Sequence, residues 1–203
     1  MTVGVLFVCL GNICRSPAAE GVFKAIVHKT HDTPGDFRID SCGTGGGSSN
    51  WYKPNGSSYH QGESSDGRMK KEAKKRGYHL TSRSRPLVPD DLRTFDHIIC
   101  MDGNNVRAVM EAAKFWGPEF TALANTKVIC TTSNCTSSLL LVSKMTTYCV
   151  ANTTATHVPD PWYEGGFDSV LDLLEDACHG LYAALSDSAS KQANNTAEIG
   201  FHS

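Results

Sequence analysis

Residues 5–23 read VLFVCLGNICRSPAAEGVF, and this stretch determines the expected fold. Its first part is a continuous apolar run that ends at Cys9, which predicts a buried strand of a parallel sheet. Ser16 and Pro17 then have the residue types of a helix N-cap and a first helical position. The residues between them must therefore form a short loop that connects the end of a strand to the start of a helix.

The rest of the chain repeats this alternation of strands and helices. Apolar runs predict further strands at Phe37–Ser41, Phe95–Met101 and Lys127–Thr131, and helical spacings predict helices at 18–28, 66–76, 104–115 and 169–185. Such an alternation is typical of a parallel sheet with helices on both faces. We therefore expect an α/β fold, a three-layer doubly wound domain whose four-stranded parallel sheet has the order 2-1-3-4. The loop after strand 1 then lies at the switch point where such sheets bind ligands.

A single domain is expected to span residues 1–185. Within it, segment 131–157 has no helical period, is rich in Thr and Ser, and is long for a connection. We interpret this segment as an unplaced insertion, in which Leu139–Val142 can form one strand of an extra hairpin. Residues 186–203 are polar and low in hydrophobicity, which predicts a disordered tail.

The composition is that of a soluble globular protein, with 40% hydrophobic and 20% charged residues among 203. The formal net charge of −2 gives no electrostatic reason to expect a nucleic-acid or membrane partner. No apolar stretch approaches the ~18 residues of a membrane span, and residues 1–9 lack the basic region and cleavage site of a signal peptide. The eight cysteines show no CxxC pair or zinc-binding spacing, so we expect a reduced cytoplasmic protein.

The loop from Leu10 to Ser16 has the residue types of an anion-binding site. Unpaired amides at a helix start attract negative charge, and the helix dipole adds to this attraction. Gly11 and Asn12 are residue types that readily adopt the unusual backbone conformations of such a loop. The planar guanidinium of Arg15 can hold two phosphoryl oxygens. A cysteine in this environment, Cys9, should ionise and attack a bound phosphorus atom.

The sequence VCLGNICRSP of residues 8–17, followed by Ala19 and Glu20, resembles the signature of the low-molecular-weight protein tyrosine phosphatases. The tetrapeptide DPWY of residues 160–163 is similar to the acid loop of that family. Segments 39–44, 95–102 and 167–177 resemble its second strand, third strand and last helix. The resemblance covers about residues 3–185. It implies hydrolysis of phosphotyrosine and aryl phosphates through a phosphocysteine intermediate, with acid phosphatase activity.

The resemblance also implies a role for each site residue. Cys9 is the nucleophile, Arg15 holds the phosphoryl oxygens, and Asp160 acts first as general acid and then as general base. Ser16 bonds to the thiolate, while Asn12 and Ser41 brace the loop. The residues expected to bind the substrate are Leu10, Gly11, Asn12, Ile13, Cys14, Ser16, Trp51, Trp162 and Tyr163. No metal or cofactor is expected, because Arg15 and the loop amides supply the positive charge.

Two of these residues have an alternative explanation. Trp51 is expected either to wall a deep slot together with Trp162 and Tyr163 or to pack in the protein interior. The resemblance suggests that Cys14 is a resolving thiol that forms a reversible disulfide with Cys9, whereas packing alone would make it a small filler beneath the loop. The expected partners are phosphotyrosine proteins or small aryl phosphates, with inorganic phosphate as product inhibitor. We expect a monomer or weak dimer.

Three other functions are compatible with parts of the sequence. A thiol-dependent arsenate reductase shares the cysteine–arginine loop but needs further cysteines that relay a disulfide outward, and Cys100, Cys130 and Cys135 form no clear relay pair. A protein arginine phosphatase carries threonine where this chain has Ile13, which favours phosphotyrosine. A catalytically silent phosphate-binding module would lack Cys9, Arg15 or Asp160, and all three are present.

Overall fold

A parallel sheet of four strands forms the centre of the computed structural model, which describes residues 2–30, 36–125 and 141–199. The strands are β1 (Val3–Cys9), β2 (Phe37–Gly43), β3 (His97–Cys100) and β4 (Leu141–Lys144). Their order is β2-β1-β3-β4, which confirms the predicted topology. Strand β1 lies in the interior of the sheet because it pairs with β2 on one side and β3 on the other, and its residues from Gly4 to Cys9 are buried.

The register brings the carboxyl ends of three strands to one edge of the sheet. Val8 of β1 pairs with Cys42 of β2 on one side and with Cys100 of β3 on the other. Residues that follow these three strands therefore lie close together in space. The loop after β1 occupies the middle of this edge, as the sequence predicted.

The described residues form seven α-helices: α1 (Arg15–Thr30), α2 (Gly67–Lys75), α3 (Asp91–Thr94), α4 (Gly103–Trp116), α5 (Pro118–Asn125), α6 (Pro161–Glu164) and α7 (Phe167–Ile199). Helices α1, α2 and α7 share one hydrophobic cluster with Val5 and Phe7 of β1. Helices α4 and α5 share a second cluster with Leu6 and Val8. Because successive strand residues point to opposite faces, β1 contributes to both clusters, and the predicted three layers are confirmed.

The fourth strand differs from its predicted position. The prediction placed it at Lys127–Thr131, which lies outside the described residues, whereas β4 is formed by Leu141–Lys144 and pairs in parallel with β3. Val142 of β4 is buried on the α4 and α5 face of the sheet. Residues 141–144 of segment 131–157 are therefore part of the central sheet and not of an extra hairpin.

After β4 the chain is fixed to α7. A 3₁₀ turn, Met145–Tyr148, leads to a loop whose backbone N–H groups at Val150, Ala151 and Asn152 donate to the carboxylate of Asp176, at 2.8–3.1 Å. Burial alone would raise the pKa of Asp176, but these hydrogen bonds lower it to about 2. This anchor holds the segment that leads to Asp160.

The last helix extends past its predicted end at Leu185 and continues to Ile199, into the stretch expected to be a disordered tail. Residues 186–199 contain neither Gly nor Pro, so nothing in the sequence interrupts the helix. Within the part of the chain that the structure describes, no helix is both long and apolar enough to cross a membrane.

Candidate active site

A slot opens at the carboxyl edge of the sheet, above the loop that follows β1. Its lining combines the loop with residues from two distant segments: Cys9, Leu10, Gly11, Ile13, Cys14, Arg15, Gly46, His60, Asp160, Trp162 and Tyr163. The loop forms the base of the slot, and the distant residues form its walls. The crossover topology places these segments at one edge of the sheet although they are far apart in sequence.

The backbone of the loop presents its N–H groups to the slot. The carbonyl oxygens of Leu10, Gly11 and Ile13 accept hydrogen bonds from surrounding residues, namely from Thr44 and Gly46, from Ser84 and from Asp66. Within the described residues, the amides of Gly11, Ile13 and Cys14 donate to no protein acceptor. Outward carbonyls with free amides on the inner side form a concave anion site.

Asn12 holds the loop in this conformation. Its backbone is left-handed, with φ of 54°, an arrangement that asparagine tolerates better than most residues. Its buried side-chain Nδ2 donates to the hydroxyls of Ser16 and Ser41, each at 2.9 Å, and its Oδ1 accepts from the backbone N–H of Arg85 at 2.9 Å. One amide side chain therefore fixes the loop to α1, to β2 and to the segment before α3.

Two donors point at the sulfur of Cys9. The backbone N–H of Asn12 lies 3.2 Å from Cys9 Sγ, and the hydroxyl of Ser16 lies 3.1 Å from it. Both groups are buried, so water does not compete for these bonds. Hydrogen bonds of this kind stabilise negative charge on the sulfur.

The guanidinium of Arg15 is buried and bonded to two carboxylates. Nη1 donates to Asp102 Oδ2 at 2.7 Å and to the carbonyl of Val158 at 3.2 Å, while Nη2 donates to Asp160 Oδ2 at 2.5 Å. Burial alone would lower the pKa of Arg15, but the negative charges of Cys9, Asp160 and Asp102 raise it above its ordinary value. Arg15 is therefore a permanent cation at the base of the slot.

The segment that carries Asp160 is positioned by its backbone. The N–H of Val158 donates to Met101 at the end of β3, at 2.9 Å, so the segment continues the edge of the sheet. Asp160 then caps α6, because its Oδ1 accepts from the N–H of Trp162 at 3.1 Å. The other carboxylate oxygen accepts from Arg15, and Asp160 lines the slot.

Comparison with known proteins agrees with this geometry. Residues 4–116, which include the loop and Arg15, match the family model described as low molecular weight phosphotyrosine protein phosphatase. A Synechocystis protein named as a low molecular weight protein-tyrosine-phosphatase is 37% identical over 89% of this chain and 95% of its own length. The chain belongs to the low molecular weight phosphotyrosine protein phosphatase family.

Two further relatives of this phosphatase family match to different extents. The Schizosaccharomyces pombe low molecular weight phosphotyrosine protein phosphatase is 41% identical over 53% of this chain and 61% of its own length. The crystal structure of an Entamoeba histolytica protein tyrosine phosphatase with Hepes in its active site superposes with a TM-score of 0.70 and 36% identity. That match covers 93% of this chain and 99% of the other.

Most residues expected from the family resemblance lie in the slot. Cys9, Arg15 and Asp160 lie together, and the lining includes Leu10, Gly11, Ile13, Cys14, Trp162 and Tyr163. Asn12 and Ser16 lie behind the lining and brace it. The interpretation of Trp51 as a slot wall is wrong: this side chain is buried and packs edge-on against Tyr52 and Trp116, with ring centroids 5.3 and 6.2 Å away.

His60 forms the wall that was expected from Trp51. Its ring lies 5.9 Å from that of Trp162, and its Nδ1 lies 2.8 Å from Glu63 Oε2. A Cβ at Gly11 would lie 2.9 Å from the His60 ring, so glycine is required for this close approach. No local pattern in the loop sequence distinguishes His60 from its neighbours.

Two further acids, the partly buried Asp102 and the buried Glu20, were not among the expected site residues. Asp102 bonds to Arg15 and caps α4 by accepting from the N–H of Asn105 at 2.8 Å. Its position just after β3 could have indicated this contact, since the carboxyl ends of neighbouring parallel strands share one edge. Glu20 accepts from the hydroxyl of Ser41 at 2.6 Å and so completes the chain of bonds that begins at Asn12.

Proposed function

We propose that the chain hydrolyses phosphotyrosine in proteins and small aryl phosphates through a phosphocysteine intermediate. The observation that carries this proposal is the position of Cys9 Sγ: two buried donors point at it, and it lies at the base of a slot shared with Arg15 and Asp160. A stabilised thiolate beside a fixed cation and a carboxylic acid is the arrangement that phosphoryl transfer to sulfur requires.

In the first step, Cys9 attacks phosphorus in line with the bond to the phenolate oxygen. Arg15 and the amides of the loop bind the three equatorial oxygens and stabilise the charge that develops on them. Asp160 protonates the departing oxygen. The positive charge comes from Arg15 and the backbone, so the proposal includes no metal or cofactor.

In the second step, Asp160 acts as a base and removes a proton from the water that attacks phosphocysteine. The product is inorganic phosphate, which fits the same amides and is therefore expected to be a product inhibitor. An aryl ring is expected to lie between His60, Trp162 and Tyr163, which favours flat substrates. Acid phosphatase activity toward simple aryl esters follows from the same arrangement.

Cys14 is proposed to be the resolving thiol for an oxidised Cys9. Both cysteines line the slot, and the six cysteines of the described residues are free thiols. Burial, followed by the negative charges of Asp66 and Cys9, raises the pKa of Cys14, so Cys14 is protonated at neutral pH and does not compete with Cys9 as nucleophile. We also propose that the protein is cytoplasmic and a monomer or weak dimer.

No observation favours the other functions considered from the sequence. Cys100, which an arsenate-reducing relay would need, is fully buried in the sheet, and burial raises the pKa of its thiol. Cys130 and Cys135 lie outside the described residues. Ile13 lines the slot, and we propose that it favours phosphotyrosine over phosphoarginine.

The test compares the parent protein with Cys9→Ser on p-nitrophenyl phosphate and on a phosphotyrosine peptide. The variant should lose turnover by roughly 10³-fold or more, the scale of loss when a covalent nucleophile is removed. Calorimetry should still detect phosphate binding, because Arg15 and the loop amides remain. Turnover within tenfold of the parent would show that Cys9 is not the nucleophile.

A further inference from the structure

A second cleft lies beside the slot, between α2 and the start of α7. We call it the α2 groove; its side chains are Arg68, Lys71, Glu72 and Lys75 from α2, and Phe167 and Asp168 from α7. The residues from α2 are spaced by three and four positions, so they form one stripe along the helix. Met69 and Ala73, on another face of α2, are buried and hold the helix against the core.

The α2 groove begins at the wall of the slot. The guanidinium carbon of Arg68 lies 5.1 Å from the ring centroid of Trp162 and 4.8 Å from that of Phe167. Asp66 fixes this guanidinium with bonds of 2.9 and 3.1 Å. Because Trp162 lines the slot and also contacts Arg68, the two clefts are adjacent.

The charges of the α2 groove are unevenly paired. Lys75 Nζ bonds to both carboxylate oxygens of Glu72 at 2.7 Å, and Arg68 bonds to Asp66. Lys71 is exposed and forms no salt bridge within the described residues, and Asp168 is the remaining acid of the groove. Lys71 is therefore a cation of the groove with which an approaching carboxylate can pair.

We propose that the α2 groove binds Asp or Glu side chains that flank the phosphotyrosine of a peptide substrate. This rests on the proposed function, since the phosphotyrosine would occupy the slot. Arg68 to Lys75 spans about 10 Å along the helix axis. An extended peptide covers that distance with about three residues, so acids within three positions of the phosphotyrosine reach Lys71 and Lys75.

The chain offers a matched control for this proposal. Lys70 and Lys74 are exposed on the same helix, four positions apart like Lys71 and Lys75, but they lie outside the α2 groove. The double variant Lys71→Glu/Lys75→Glu reverses the charge of the groove. The double variant Lys70→Glu/Lys74→Glu makes the same change in net charge elsewhere on α2.

The experiment measures kcat/KM for two phosphotyrosine peptides that differ only in flanking Glu and Asp or the isosteric Gln and Asn. Each exposed ion pair changes binding by roughly one- to fivefold, so the parent should prefer the acidic peptide by about five- to tenfold. The groove variant should lose or invert this preference, and the control variant should keep it. p-Nitrophenyl phosphate, which fills only the slot, should be hydrolysed equally by all three.

Several results would overturn the proposal. Equal losses in both double variants would show general electrostatic attraction, and a parent without preference would show that the groove binds no acids. Co-sedimentation with phosphatidylserine vesicles that both variants lose would identify α2 as a membrane-contact face instead. Calorimetry of the two peptides with the Cys9→Ser protein gives the same comparison without turnover. A failure of the proposed phosphatase activity is thus distinguished from a failure of the groove.

Discussion

The base of the slot, residues 9–16, and its rim, formed by His60, Trp162 and Tyr163, are held in place by different interactions. In the base, Cys9 and Asn12 are each 2% exposed and are fixed by buried hydrogen bonds. In the rim, Trp162 and Tyr163 are 46% and 75% exposed, and rings contact rings or the guanidinium of Arg68.

The base and the rim therefore have different tasks. Buried hydrogen bonds are directional and hold atoms to a fraction of an ångström, which phosphoryl transfer needs. Ring contacts are broad in geometry and leave room for side chains of different substrates. We therefore expect changes in the base to lower the rate for every substrate, and changes in the rim to alter which substrate is preferred.

The largest expected effect concerns Asp160, which lies where the base and the rim meet. Asp160 belongs to the segment of the rim but is bonded to Arg15 in the base. Asp160→Ala should slow phenyl phosphate by ~10²–10⁴-fold, since general acid catalysis has that size, and should slow 2,4-dinitrophenyl phosphate far less. Steady-state kinetics on both esters measures this difference. Glu164→Gln, a change of charge at the end of α6, is the control; equal losses on both esters would exclude Asp160 as the acid.

The second effect tests the buried hydrogen bonds of the base. Asn12→Ala removes the bonds to Ser16, Ser41 and the N–H of Arg85, so the loop should shift and kcat should fall by roughly 10²-fold for all substrates alike. The unfolding free energy should fall by about 1–3 kcal/mol, because buried partners lose their bonds.

Asn55→Ala is the matched control for this change. Asn55 has nearly the same left-handed backbone, with φ of 61°, but is exposed in a loop. Its substitution adds similar backbone strain without touching the slot. If both variants lose stability and activity equally, the backbone conformation rather than the side chain of Asn12 is responsible.

The third effect is smaller and should be selective. His60→Asn removes a ring that contacts Trp162 at 5.9 Å, and an aromatic contact changes binding by roughly two- to tenfold. The ratio of kcat/KM for phenyl phosphate to that for ethyl phosphate should fall, mainly through KM. Tyr59→Ser is the control, since Tyr59 packs against His60 but does not line the slot. A uniform loss of kcat would place His60 in the base instead.

The smallest effect should be present near neutral pH and should disappear in acid. The pKa of Asp176 is about 2 in the folded protein, below the value of about 3.9 in an unfolded chain. The bonds of Asp176 therefore stabilise the fold fully above about pH 4 and lose this contribution between pH 4 and 2. The Tm of Asp176→Asn should lie below that of the parent at pH 6, and the gap should shrink toward pH 2. Glu111→Gln, exposed on α4, should show no such convergence.

The base could be predicted from the sequence because its elements are local. A strand end, a glycine, an asparagine, an arginine and a helix start occupy eight consecutive residues, 9–16, and need no distant contact to be recognised. The four-stranded order also followed from the alternation of strands and helices. The partners that brace the base, such as Arg85, come from segments without a distinctive pattern.

The rim could not be predicted in the same way. His60 and Trp51 lie in one long loop rich in Gly and Ser, and only tertiary packing places His60 in the slot and Trp51 under α4. The run that forms β4 could not be identified from the sequence for a related reason. Both Lys127–Thr131 and Leu139–Val142 are short apolar runs, and the choice between them depends on pairing with β3 rather than on residue type.

The backbone of one residue, Val158, links the end of β3 to Arg15 in the base of the slot. Its N–H bonds to Met101 at the end of β3, and its carbonyl accepts from Arg15, 143 positions earlier in sequence. During synthesis, the residues of the base leave the ribosome long before Val158 and Asp160 do. Asp160, the proposed acid, therefore joins Cys9, the proposed nucleophile, only when the last part of the domain has docked. Catalytic activity in this fold is thus a measure of complete folding.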